Sequence, residues 1–86
     1  SPTSADYFTE AKAVKDAAGM IQQAKLLQQP KGTPIYIAVD YDASWSDVSD
    51  YLTKLFALLK DSDYLPGIYG GIPSVIAMLA RLSQSG

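Results

Sequence analysis

The sequence predicts an α/β fold in which three helices alternate with two short strands, in the order helix, strand, helix, strand, helix. Two short β-branched and aromatic runs are typical of strands, and three longer stretches carry apolar residues at helical spacing. The second strand begins about 30 residues after the first, with no hairpin turn between them, which is the spacing of a βαβ unit. The alternation therefore predicts parallel strands covered by helices.

The first helix is predicted from about Thr9 to Leu27, with Thr9 as the N-cap and an end before Pro30. Gly19, inside it, predicts a place where the helix packs closely on another element. The predicted buried face consists of Val14, Ala17, Ile21, Ala24 and Leu27.

The first strand is predicted over residues 35–39, a continuous apolar run of the kind that is buried on both faces in parallel sheets. Side chains alternate along a strand. The aliphatic side chains of Ile35, Ile37 and Val39 are therefore predicted to face the helices. Tyr36, Ala38 and Asp40 are predicted to point the other way.

The second helix follows Ser44, which has Asp47 three residues later as in a capping box, and it is predicted to run to about Lys60. Its predicted buried stripe is Val48, Leu52, Leu55, Phe56 and Leu59. A short second strand is predicted over residues 67–70. The last helix is predicted to open at Pro73, and residues 83–86 are predicted to form a loose polar tail. The stripe of the last helix is predicted to be Val75, Ile76, Leu79 and Leu82.

Two strands cannot form a sheet that buries both of its faces, so the sequence predicts that further strands lie elsewhere. The fold we predict is a fragment of a (β/α)₈ TIM barrel. A complete barrel of this kind needs about 250 residues, so residues 1–86 would make up about one third of it. The remaining strands are expected from the rest of a parent chain or from other copies of this chain.

Composition excludes several classes of function. Seven Lys and Arg against nine Asp and Glu give a net charge of -2 without a basic stripe, so we expect no nucleic-acid partner. The chain has no Cys and no His, which removes thiolate and imidazole chemistry and the usual zinc ligands. We expect no cofactor. No apolar run approaches the length of a membrane span.

Two acids follow the first strand. Asp40 and Asp42 are predicted at its carboxyl end, where α/β sheets and barrels bind ligands. Repulsion between neighbouring carboxylates raises the pKa of at least one of them. Glycosidic-bond hydrolysis needs two carboxyl groups with different pKa values, one protonated and one ionised. Asp40 and Asp42 are therefore the candidate catalytic residues. A helix-capping or turn role, or a divalent cation site, is an alternative interpretation.

Tyr69 and Trp45 are the candidate substrate-binding residues. Tyr69 lies at the corresponding end of the second strand among glycines that leave room for a ligand, and its phenol is within predicted reach of the acids. Trp45, in the loop after Asp42, offers an indole that stacks on a sugar ring. The alternatives are a core position for Tyr69 and packing of Trp45 on its own helix start.

Three segments together resemble a known family. They are the Ala-rich helix ending near residues 24–27, the stretch of residues 34–42 (PIYIAVDYD), and residues 67–71 (GIYGG). In order and spacing they are similar to the bacterial glycoside-hydrolase-like domain of unknown function, a TIM barrel related to the muramidase barrels that cleave peptidoglycan. The resemblance covers nearly all 86 residues.

The resemblance implies a hydrolase-like domain of exported bacterial proteins, acting on cell-wall polysaccharide and located outside the cell or in its envelope. Asp40 and Asp42 match the acidic strand end of the family, and Tyr69 matches its Gly-x-Tyr-Gly strand. Muramidases have Asp-x-Glu at the comparable strand, so Asp42 is one methylene shorter than their proton donor. The alternative is a catalytically inactive carbohydrate-binding or structural module. The isolated 86 residues are expected to be inactive, because a barrel site is assembled from several strands.

Overall fold

The computed structural model describes residues 8–38 and 45–85 of the chain. The predicted order of helix, strand, helix, strand, helix is confirmed. The elements are α1 (Glu10–Leu26), β1 (Pro34–Ala38), α2 (Trp45–Lys60), β2 (Leu65–Tyr69) and α3 (Ile72–Ser85).

Helix α1 begins as predicted. Thr9 is the N-cap, and its hydroxyl oxygen Oγ1 accepts a hydrogen bond from the backbone N–H of Lys12 at 3.1 Å. Glu10 lies in the first turn, where its charge is stabilised by the helix dipole. Helix α2 begins at Trp45, and the predicted cap Ser44 lies outside the described residues.

A Schellman motif ends α1. The backbone N–H of Gln28 donates to the Lys25 carbonyl at 3.0 Å, and the N–H of Gln29 donates to the Ala24 carbonyl at 2.9 Å. Gln28 has a φ of 59°, a left-handed conformation that glycine usually fills at this position. The motif turns the chain toward Pro30 and the start of β1.

The core lies between the helices and one side of the sheet. Helix α2 contributes its predicted stripe: Leu55 and Leu59 are fully buried, Val48 and Leu52 are buried, and Phe56 is partly buried. The other buried members are Ala13 and Ala17 of α1, Ile37 of β1, Tyr51 of α2 and Met78 of α3. The stripe of α2 is therefore confirmed.

The predicted face of α1 is wrong in part. Val14 and Leu27 are exposed, and the buried positions are Ala13, Ala17 and Ala24. The predicted Ala17 and Ala24 are confirmed, Ile21 packs partly buried against the core, and Ala13 takes the place that was predicted for Val14. Gly19 is exposed and has no atom within 4 Å of where a Cβ would stand, so the prediction of close packing there is also wrong.

The predicted face of α3 is wrong in part. Met78 is buried and Val75 and Leu82 are partly shielded, whereas Ile76 and Leu79 are exposed. A face spaced i, i+3, i+7 satisfies the helical period as well as the predicted one does. The helix also continues to Ser85, so the prediction of a loose tail from Ser83 is wrong.

Strands β1 and β2 are parallel, as predicted, and they pair in register from Pro34 with Leu65 to Ala38 with Tyr69. β2 starts at Leu65, two residues before its predicted start, and includes Pro66. The strands form a two-stranded sheet in the part of the chain that the structure describes.

Alternation along the strands separates two sides of this sheet. Ile37 is buried against the helices, and Ile35 and Ile68 pack on the same core. The opposite side, which we call the open face, consists of Pro34, Tyr36, Ala38, Leu65, Gly67 and Tyr69. The predicted direction of Ile37, Tyr36 and Ala38 is confirmed. The helices of this chain cover one face of β1. Burial of the other face, which was predicted to require strands beyond these two, stays a prediction.

Hydrogen bonds fix the chain where both strands begin. The buried Tyr64 donates its hydroxyl to the Gln29 carbonyl at 3.1 Å, and the Gln29 amide donates to the Pro34 carbonyl at 2.9 Å. The Leu65 N–H donates to the Thr33 carbonyl at 3.2 Å. These bonds set the register of β2 against β1 from the amino end of the sheet.

Candidate functional site

The carboxyl ends of both strands meet at one edge of the sheet. Ala38 ends β1 and lies beside Tyr69, the last residue of β2. Both residues are exposed, and so are Gly70 and Gly71 that follow. Ligands bind at this edge in parallel α/β folds. Here the edge is accessible, and it carries the phenol of Tyr69 next to the methyl group of Ala38.

Tyr69 lies where the sequence predicted it, at the end of the second strand. Its side chain is 58% exposed, and the register places it on the open face with Ala38. The small Ala38 leaves the space next to the Tyr69 ring unfilled by its strand neighbour. The alternative that Tyr69 fills the core of a complete barrel also stays open, because the strands that would enclose that core are not among the described residues.

The predicted acids, Asp40 and Asp42, lie outside the described residues. Their roles stay predictions. Trp45 is the first residue of α2 rather than a loop residue, because the helix starts directly after Ser44. The side chain of Trp45 lies outside what the structure describes, so its binding role also stays a prediction.

Tyr36 and Gly67 form the part of the open face that sequence reasoning did not single out as a site. The Tyr36 side chain is 60% exposed, and its ring lies against Gly67, its partner in the ladder. The sequence signal for this pair is a tyrosine in the first strand and a glycine at the paired position of the second strand, since glycine leaves room for the ring. The pair extends the aromatic surface from Tyr69 toward the middle of the sheet.

A cluster of charged and hydrogen-bonded side chains lies between α1 and α2. The Asp16 carboxylate accepts hydrogen bonds from the Tyr51 hydroxyl at 2.5 Å and from Lys12 Nζ at 2.7 and 2.9 Å. Burial by itself raises the pKa of Asp16, but the hydrogen bonds from Lys12 and Tyr51 and the charges of Lys12 and Lys15 outweigh it, so this pKa lies below its ordinary value. The ionised carboxylate links α1 to α2 through the Tyr51 hydroxyl, so we interpret the cluster as stabilising the helix pair.

Residues 8–38 and 45–85 bring together no three Asp or Glu side chains as ligands for a metal ion. The helices in those same ranges all fall short of the length and hydropathy needed to cross a bilayer.

Comparison with known proteins places these features in a family. The family described as the Rv2525c-like, glycoside hydrolase-like domain matches residues 1–85. The chain is also 36% identical over 56 residues to YbfG of Bacillus subtilis (strain 168), which is described as an uncharacterized protein. That match covers 65% of this chain and spans 8% of the relative's length. No solved structure matches the chain significantly.

The family match extends over all five helices and strands and over the open carboxyl edge of the sheet. The chain belongs to the Rv2525c-like, glycoside hydrolase-like domain family.

Proposed function

We propose that this chain is part of a glycoside-hydrolase-like barrel domain that acts on bacterial cell-wall polysaccharide, peptidoglycan, by carboxylate acid/base chemistry. The observation that carries the proposal is the open carboxyl edge of a parallel sheet, with Tyr69 exposed beside Ala38 in a chain of this family. The remaining strands of the barrel come from the rest of the parent chain or from other copies.

The open face supports the barrel. In a (β/α)₈ barrel the helices cover the outside of the sheet, and the alternate side chains of each strand fill the inside. Ile37 and Ile68 pack toward helices here, whereas Tyr36 and Tyr69 are turned away from them. The described strands therefore have one face toward helices and one face away from them, as the strands of a barrel do.

Asp40 and Asp42 supply the chemistry in this proposal. Asp40 follows Ala38, the last residue of β1, by two residues in the sequence. One acid protonates the leaving glycosidic oxygen, while the other stabilises or attacks the sugar carbon. Tyr69 and Trp45 bind the sugar, the first by its phenol and the second by stacking.

The proposal is tested by peptidoglycan and chitooligosaccharide turnover, measured as new reducing ends, with the full-length protein that contains this chain. We expect Asp40→Asn and Asp42→Asn each to reduce the rate at least a hundredfold, the scale of lost acid/base catalysis. Asp61→Asn, which changes an exposed acid at the end of α2, is the matched control and should keep the wild-type rate. Full activity in both the Asp40 and Asp42 variants removes these residues from the mechanism.

A catalytically inactive carbohydrate-binding or structural module is the second candidate. The shorter Asp42, where the muramidases have Glu, favours it, because a proton donor withdrawn by one methylene group no longer reaches the leaving oxygen in the same pose. Glycan binding by the wild-type protein without any reducing ends after long incubation supports this candidate. New reducing ends exclude it.

A location outside the cell or in its envelope is part of the same proposal, since the polysaccharide substrate is there. Fractionation of cells that express the full-length protein, followed by immunoblotting, tests it. Recovery of the protein in the cytosolic fraction alone contradicts an action on the mature cell wall.

A further inference from the structure

We draw no further inference here: the strongest candidate, the exposed aromatic patch of Tyr36 and Tyr69 on the open face of the sheet, belongs to the inside of the barrel already proposed, and nothing in the structure shows what covers it.

Discussion

The ring of Tyr36 lies against Gly67, its partner in the parallel ladder: a Cβ atom built on Gly67 would stand 2.7 Å from Cδ1 and 2.9 Å from Cε1 of that ring. These distances are shorter than carbon atoms tolerate, so the ring keeps its position only while residue 67 is glycine. Gly67 therefore determines how Tyr36 lies on the open face.

Gly67→Ala is expected to turn the Tyr36 ring away from the sheet with little change in stability. The exposed ring is free to move, and alanine suits a strand better than glycine by roughly 0.5–1 kcal/mol, which offsets the lost contact. The ring resonances of Tyr36 in an NMR spectrum report the change. Unaltered Tyr36 resonances in a folded Gly67→Ala variant contradict the contact, and Gly19→Ala, at an exposed site without neighbours, is the control that should leave them unchanged.

The sequence predicted the buried stripe of α2 in full and the buried faces of α1 and α3 only in part. The α2 stripe was predictable because Leu55 and Leu59 lose most surface on folding. The face of α1 was not, because Ala13 gives a weak hydropathy signal and its burial depends on how closely two helices approach. The last turn of α3 was missed because Ser83 and Ser85 are polar, although polar residues also continue a helix.

The site was predictable to the level of a sheet edge. Alternation along β1 determined which side chains leave the helix layer, and parallel pairing then placed Tyr69 beside Ala38. The contact of Tyr36 with Gly67 was not predicted, because choosing Gly67 as the partner of Tyr36 requires the register between two strands whose paired residues are 31 positions apart. Asp40 and Asp42 remain predictions from position along the chain.

Leu55→Ala is expected to lower the free energy of unfolding by about 2–5 kcal/mol, because Leu55 is fully buried between the helices and its loss leaves a cavity. Urea unfolding followed by circular dichroism, at one fixed protein concentration, measures the loss. Leu26→Ala, at an exposed leucine of α1, is the matched control and should change stability by less than about 0.5 kcal/mol. Equal losses at the two leucines contradict the core described for α2.

Gln28→Gly is expected to stabilise the chain by about 1 kcal/mol, because a residue with a Cβ is disfavoured at the left-handed φ of 59° that closes α1. Gln28→Ala keeps the Cβ and should show no such gain. Thermal unfolding of both variants separates backbone strain from loss of the glutamine side chain. Equal stability of the two variants means that the left-handed conformation costs the chain nothing.

Acid is expected to weaken the contact between α1 and α2 through Asp16. Its pKa is lowered in the folded chain, where burial is outweighed by the hydrogen bonds from Lys12 and Tyr51. A carboxyl with a lowered folded pKa contributes stability above its unfolded pKa of about 3.9, and that contribution is lost as the pH falls through the folded value. The free energy of unfolding should therefore fall between about pH 5 and pH 2 more steeply in the wild type than in Asp16→Asn.

Tyr51→Phe separates the hydrogen bond from the packing in this cluster. Phenylalanine keeps the edge-to-face contact with the Phe8 ring, whose centroid lies 5.1 Å away, but it removes the hydroxyl that donates to Asp16. We expect a loss of about 1.5–3 kcal/mol at neutral pH, the range for a hydrogen bond to a charged group, and a smaller loss at a pH low enough to protonate Asp16. Urea titrations at the two pH values measure both losses. A Tyr51→Phe penalty that is the same at both values would mean that Tyr51 stabilises the helix pair without sensing the charge of Asp16.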